Sequence, residues 1–270
     1  MKDIEGKTVL ITGGAKGMGR ALASRFVDDK AKVVLVDINS EALEDTAKEL
    51  REKDGEVNTY VCDVAFRTKV YDMADLIHSD VGNVDILVNN AGIVAGGNFM
   101  NVADKDLQKT MDVNIMAYMW MIKAFMPDML KKKQGHIVNI ASAAGLLGVP
   151  GLTSYCASKH AVVGFTEALR LELKKDESLN DIHFTTVCPS YVATGMFEGV
   201  KPPRGTKWLT TEDMADKIYN AIKKDKVVLT VPFLVKITPV LKTILPISWF
   251  DGAQRLLRVD TSMDVWTGRK

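Results

Sequence analysis

Cysteine is scarce: Cys62, Cys156 and Cys188 are the only three in 270 residues, odd in number, far apart and without C-x-x-C spacing. A disulfide framework or zinc knuckle is therefore not the basis of the fold, and a reducing, cytoplasmic setting is expected. Charge of one sign is also lacking, with 35 basic residues against 34 acidic. Without a strong positive field, nucleic acid is not expected as a partner. His78, His136, His160 and His183 share no metal-ligand spacing, so no metal site is expected. No repeat, low-complexity tract or Gly/Ser linker divides the chain, and residues 1–270 read as one domain. The start, Met1-Lys2-Asp3-Ile4-Glu5-Gly6-Lys7, carries acids where an export signal needs an apolar core.

What the sequence does contain is alternation. Strand-like apolar runs at 8–11, 32–36, 57–61, 85–88, 136–140, 182–187 and 227–231 are interleaved with helical stretches at 17–29, 41–53, 66–81, 104–132, 152–175 and 212–224. Short Val/Ile/Leu runs, each followed by a crossover helix, predict an α/β, doubly wound Rossmann fold: a parallel sheet of about seven strands with helices on both faces. In such a sheet ligands sit at the carboxyl ends of the strands.

The first strand runs into Thr12-Gly13-Gly14-Ala15-Lys16-Gly17-Met18-Gly19, immediately before a helix. Glycines there permit a tight turn and let backbone approach a pyrophosphate, while free N–H groups at the helix start favour its charge. The spacing is T-G-x-x-x-G-x-G, so strand–loop–helix order carries the assignment as much as the glycines do. Asp37 closes the second strand, where a carboxylate accepts hydrogen bonds from ribose hydroxyls. A 2′-phosphate there would meet a repulsion of about 4 kcal/mol at 4 Å and an effective dielectric of 20. NAD is therefore the expected cofactor. Lys16, a cation inside the loop, keeps NADP open as the alternative.

Reactive groups lie further on, at Ser142 and in Tyr155-Cys156-Ala157-Ser158-Lys159. Positions four apart share a helix face, which places the Lys159 ammonium beside the Tyr155 phenol. Nearby positive charge is expected to lower the phenol's pKa, and Ser142 to donate a hydrogen bond to a substrate oxygen. The spacing Y-x-x-x-K also occurs at Tyr219 and Lys223. Context separates the two pairs: a strand and the Ser142 loop precede Tyr155, whereas a Pro/Gly/basic loop precedes Tyr219.

With these motifs in order, the sequence resembles the short-chain dehydrogenase/reductase family from about residue 6 to 230. Within it, 135–145, Ser154-Tyr155-Cys156, Cys188-Pro189 and Thr194-Gly195 are similar to the 17-beta-hydroxysteroid and retinol dehydrogenase branch. The resemblance implies an oxidoreductase acting on a hydrophobic secondary alcohol or ketone, with Asn114, Ser142, Tyr155 and Lys159 as a catalytic tetrad. By it, Asn114 would hold a water linking Lys159 to solvent. Thr12, Gly13, Lys16, Gly17, Met18 and Gly19 would form the cofactor loop, with Asp37 on the ribose. Asp63 and Val64 would lie against adenine, and Asn90, Ala91 and Gly92 would follow the central strand. Tyr155, Lys159, Pro189, Val192 and Thr194 would complete the cofactor contacts, Thr194 at the carboxamide. The family has Pro-Gly where this chain has Pro189-Ser190, which puts the local backbone in question. A 3-oxoacyl-carrier-protein reductase using NADP(H) is the enzymatic alternative, and a catalytically silent dinucleotide sensor or scaffold the alternative of another class.

Residues 190–210 are read as a substrate loop, with Met196, Phe197 and Trp208 offering apolar surface, and residues 231–270 as a C-terminal extension. Pro232, Pro239 and Pro246 argue against a transmembrane helix there. A flap over the substrate pocket or against a second subunit is the main expectation, and peripheral membrane contact aided by Arg255 and Arg258 the sharper one. Met111, Met116, Met119, Met121, Met126 and Met129 crowd one helical stretch and are read as packing. The resemblance implies that this helix and the Tyr155 helix build a homodimer or homotetramer.

Overall fold

The structure, a computed structural model, describes residues 3–268. Readings that fall on residues 1–2 and 269–270 lie outside it. The apolar runs become seven strands: β1 Thr8–Thr12, β2 Lys32–Asp37, β3 Val57–Val61, β4 Ile86–Asn89, β5 Gly135–Ile140, β6 Ile182–Pro189 and β7 Val228–Val231. They form one sheet in the order β3-β2-β1-β4-β5-β6-β7, parallel throughout. Alternation along each strand feeds two cores. Val9, Ile11, Val33, Leu35, Ile86 and Val88 point to one face, and Leu10, Val34, Val36 and Leu87 to the other. Burial on both faces is why these segments read as continuous apolar runs.

The first core is covered by α1 Gly17–Asp28, α2 Ser40–Arg51 and α7 Thr211–Lys223; the second by α3 Arg67–Asp80, α5 Ala117–Lys132 and α6 Thr153–Leu173. Start signals are local: Asn39 accepts from the Ala42 amide and Thr210 from the Asp213 amide, which meets donors a helix leaves open. The order reverses between β1 and β4, and the crevice at that switch point is where a doubly wound sheet takes its ligand.

Two segments differ from expectation. The stretch 104–132 is not one regular helix: α4 Asp104–Met111 passes through a π-helical turn, Asp112–Met116, before α5. Such a turn admits an extra residue and recurs at functional positions. The C-terminal extension holds two further helices, α8 Phe233–Ile244 and α9 Ile247–Leu256. Two of the three prolines precede these helices, Pro232 before α8 and Pro246 before α9, where a missing N–H costs little; only Pro239 lies inside one. Among the described residues no helix is long and apolar enough to cross a membrane.

Candidate active site

The cleft at the carboxyl ends of the strands is lined by Gly13, Lys16, Gly17 and Met18 of the first loop, Asp37 after β2, and Asp63 and Val64 after β3. Asn90, Ala91 and Gly92 after β4, Tyr155 and Lys159 on α6, and Pro189, Val192 and Thr194 after β6 complete the set. Two residues assigned to cofactor contact stand behind the wall instead. Thr12 is buried; its hydroxyl accepts from the Asn90 and Ala91 amides at 3.0 Å each and ties β1 to β4. Gly19 is buried too, and a Cβ there would lie 2.2 Å from the Gly13 carbonyl oxygen. Its role is to let α1 pack against the loop. Gly13, at φ +64°, needs glycine's conformational freedom. Ser190 is not among the residues with positive φ, so its side chain is compatible with the backbone there.

Asp37 acts on both sides of its strand end. One carboxylate oxygen accepts from the Ala15 amide at 3.1 Å, the other from the Asn39 amide at 3.0 Å. Lys16 is exposed, and its side chain makes no capping bond to α1. The cleft also includes Ile38, 61% exposed, beside Asp37, together with Ile93, the exposed Lys109 and the buried Val113. None of these four carries a motif, and only the fold brings them together.

Four polar groups meet at the inner end. Ser142 follows β5 and its Oγ accepts from the Ala144 amide at 3.1 Å, which leaves its own proton free to be donated elsewhere. Tyr155 and Lys159 lie one turn apart on α6, both buried, with Lys159 Nζ 5.7 Å from the Tyr155 ring centre. Lys159 Nζ donates to the Ile140 carbonyl at 2.8 Å. Asn114, in the π-helical turn, donates to the Ile93 carbonyl and Ser158 hydroxyl at 3.0 Å each, and accepts from the Ile93 amide at 2.9 Å. Its fully buried amide faces Lys159 across Gly92: a Cβ on that glycine would lie 3.4 Å from Asn114 Oδ1 and 3.7 Å from Lys159 Nζ.

Burial works against the expected lowering of the phenol pKa. Burial raises Tyr155 above its ordinary value, and interaction with the Ser142 hydroxyl opposes that only in part. Burial also brings Lys159 down to about 7, with Cys188 nearby working the other way. Desolvation disfavours both charged forms, so the amine is a weaker source of positive charge than its spacing suggests.

Tyr219 and Lys223 sit elsewhere, on α7 over the first core. Tyr219 donates to Asp29, Lys223 Nζ is 3.6 Å from the same carboxylate, and the Tyr219 ring meets Phe26 edge-on. The second Y-x-x-x-K is structural.

Beyond Tyr155 the cleft opens into an apolar cavity that shares Ser142, Tyr155, Ser190 and Phe197 with it. Phe197 meets both Tyr155 and Tyr191 edge-on, with ring centres 5.8 and 5.2 Å apart. Met196 lines the cleft, whereas Trp208 leans on Tyr191 at 5.9 Å and lines neither space. The outer wall is α8 and α9: Leu234, Thr238 and Leu241 on one with Leu245 just past it, and Phe250 on the other with Leu257 just past it. The C-terminal extension thus covers the cavity. Its last residues brace the loop, through Trp266 Nε1 donating to the Met196 carbonyl at 3.2 Å and a 2.9 Å bond between the Tyr191 and Ser262 hydroxyls. The long methionine stretch packs on the second core, with Met121 and Met129 fully buried.

The family profile described as short chain dehydrogenase matches residues 7–205. Epidermal retinol dehydrogenase 2 of Mus musculus is 43% identical over 249 residues, covering 91% of this chain and 80% of that protein. Estradiol 17-beta-dehydrogenase 11 of Macaca fascicularis is 38% identical over 245 residues, covering 91% and 81%. Among solved structures, a short chain dehydrogenase/reductase from Burkholderia phymatum in complex with NAD superimposes with a TM-score of 0.82 at 30% identity, over 90% of this chain and 95% of that one.

Proposed function

The chain belongs to the short chain dehydrogenase family, and from that premise we propose that this oxidoreductase exchanges a hydride between NAD and a hydrophobic secondary alcohol or its ketone, of steroid or retinoid size. One observation carries this function: Tyr155 and Ser142 line both the polar cleft and the apolar cavity, so an oxygen held by them has room for a dinucleotide on one side and a lipophilic body on the other.

The cleft suits a dinucleotide. Gly13 and Gly17 adopt positive φ at the turn, and α1 starts with its first amides uncapped by the Lys16 side chain, a setting for pyrophosphate. Asp37 would hold the ribose, Asp63 and Val64 would flank adenine beside Ile38, and Thr194 would meet the carboxamide. Asp37 favours NAD over NADP by like-charge repulsion of a 2′-phosphate. When bound, the dinucleotide supplies the hydride acceptor for oxidation and the donor for reduction.

The chain's own groups manage the proton. In oxidation Ser142 Oγ holds the substrate oxygen while Tyr155 Oη, as phenolate, takes the hydroxyl proton as the carbinol hydride departs. Because burial disfavours that phenolate, Lys159 in its ammonium form offsets part of the cost. Asn114 holds the backbone at Ile93 in place opposite Lys159 and belongs to the path by which the proton reaches solvent.

Reduced-cofactor absorbance tests this with steroid, retinoid and aliphatic secondary alcohols, NAD and NADP being run in parallel. The wild type should turn over the bulky alcohols with NAD. Tyr155→Phe should lose between about a hundredfold and ten-thousandfold of that rate while binding cofactor as before. Undiminished turnover in the variant, or no turnover of any alcohol by the wild type, would overturn the function.

A further inference from the structure

Helix α8 carries two apolar stripes about a quarter-turn apart. Leu234, Thr238, Leu241 and Leu245, spaced at 4, 3 and 4, face the cavity. Phe233, Val240 and Ile244 face outward and are exposed. On α9 Phe250 lines the cavity, while Ile247, Trp249 and Leu256 are exposed, Ile247 at 81%. No described residue covers these exposed apolar side chains, and surface of this kind marks a site of interaction.

We propose that the outer face of α8 and α9 seats on an anionic lipid surface. Charge selects this occupant over a second copy of the chain. Residues 233–258 hold four cations, Lys236, Lys242, Arg255 and Arg258, against one acid, Asp251, in a chain that is otherwise nearly balanced. All four cations are exposed, and none forms an ion pair with another described residue. Acids return only at Asp260 and Asp264, in the tail that braces the substrate loop. A two-fold contact between copies would place this cationic rim against itself, whereas anionic headgroups complement it. Trp249 has the amphipathic ring that settles at a headgroup boundary, and lysine stems can lie along apolar surface with their ammonium groups in water. At 12 and 10 residues the two helices lie along a surface; neither is long enough to cross it.

Flotation of the whole chain with vesicles tests this, using phosphatidylcholine alone and phosphatidylcholine with phosphatidylserine in equal parts. The protein should float with the mixed vesicles, less with phosphatidylcholine alone, and less again as salt rises. The triple variant Ile244→Ser, Ile247→Ser, Trp249→Ser should lower the partition coefficient at least about tenfold yet keep turnover of a short, water-soluble alcohol. Lys236→Gln with Arg255→Gln, which leaves the apolar face intact, should remove the preference for phosphatidylserine. Equal flotation of the wild type and the triple variant overturns the proposal, as does a wild type that floats with neither vesicle. A wild type that stays down and sediments as a dimer dissociated by the triple variant overturns it in favour of a second copy. Because flotation is read without turnover, its failure leaves the proposed reaction standing.

Discussion

Lys159 Nζ and the Tyr118 hydroxyl both donate to the Ile140 carbonyl, at 2.8 and 3.2 Å. The amine is therefore anchored to the end of β5 as well as placed near the Tyr155 ring, and it is buried there without a carboxylate partner. That setting brings Lys159 down to about 7. An unfolded chain holds the same proton to the ordinary lysine value of 10.5. Between these two values the unfolded chain binds more protons, so folding stability rises with pH.

The clean window for this rise is from about pH 7 to about pH 8, because above it the buried thiols begin to act. Burial raises Cys62 to about 11 and Cys188 to about 12, and thiols raised in this way remove stability as pH rises further. Urea unfolding of the cofactor-free protein should show a midpoint that climbs across the window, and Lys159→Met should flatten it. A wild-type midpoint that falls between those pH values contradicts a depressed Lys159.

At the other end of the cleft, Asp37→Ala removes the carboxylate that faces the ribose and frees the Ala15 and Asn39 amides. The ratio of kcat/KM for NAD to that for NADP should drop about tenfold or more, with about 1 kcal/mol of stability lost through the two bonds. An unchanged ratio would move cofactor choice to Lys16.

Leu241 contributes to the outer wall of the apolar cavity from α8. Leu241→Trp should cut kcat/KM for a steroid-sized alcohol about tenfold and leave a short aliphatic alcohol within about twofold. Equal losses for both would place bulky substrates somewhere other than this cavity.

Tyr219→Phe separates the two Y-x-x-x-K pairs. Turnover should stay near wild type, while thermal unfolding shows a loss of about 1 kcal/mol from the missing bond to Asp29. A loss of turnover as large as that of Tyr155→Phe would contradict the structural role.

Much of this was legible in the sequence because it is local. Strand, glycine loop and helix follow one another in the order a phosphate site needs, and Asp37 stands at the end of the next strand, so the cleft follows from chain order. Thr12 and Gly19 show the limit: motif position does not separate a residue that touches the ligand from one that supports the residue that does. The π-helical turn at Asn114 leaves no readable signature, because residues 111–126 are apolar at most positions and a shift in phase does not show. For α8 the four-and-three spacing of Leu234, Thr238, Leu241 and Leu245 is in the sequence, but an outer stripe almost as apolar hides it. Tyr155 and Lys159 were placed correctly on one helix face. The direction of the Tyr155 shift is not legible there, because burial outweighs the pairing and is set by neighbours distant in sequence.

The family match stops at residue 205, whereas much of the cavity's outer wall comes from residues 206–259. The cavity's inner wall thus comes from the matched stretch and its outer wall largely from beyond it, with Ser142, Tyr155, Ser190 and Phe197 facing both spaces. A descendant of this chain can acquire a new diet by rewriting its last quarter, with the older reactive framework inherited intact.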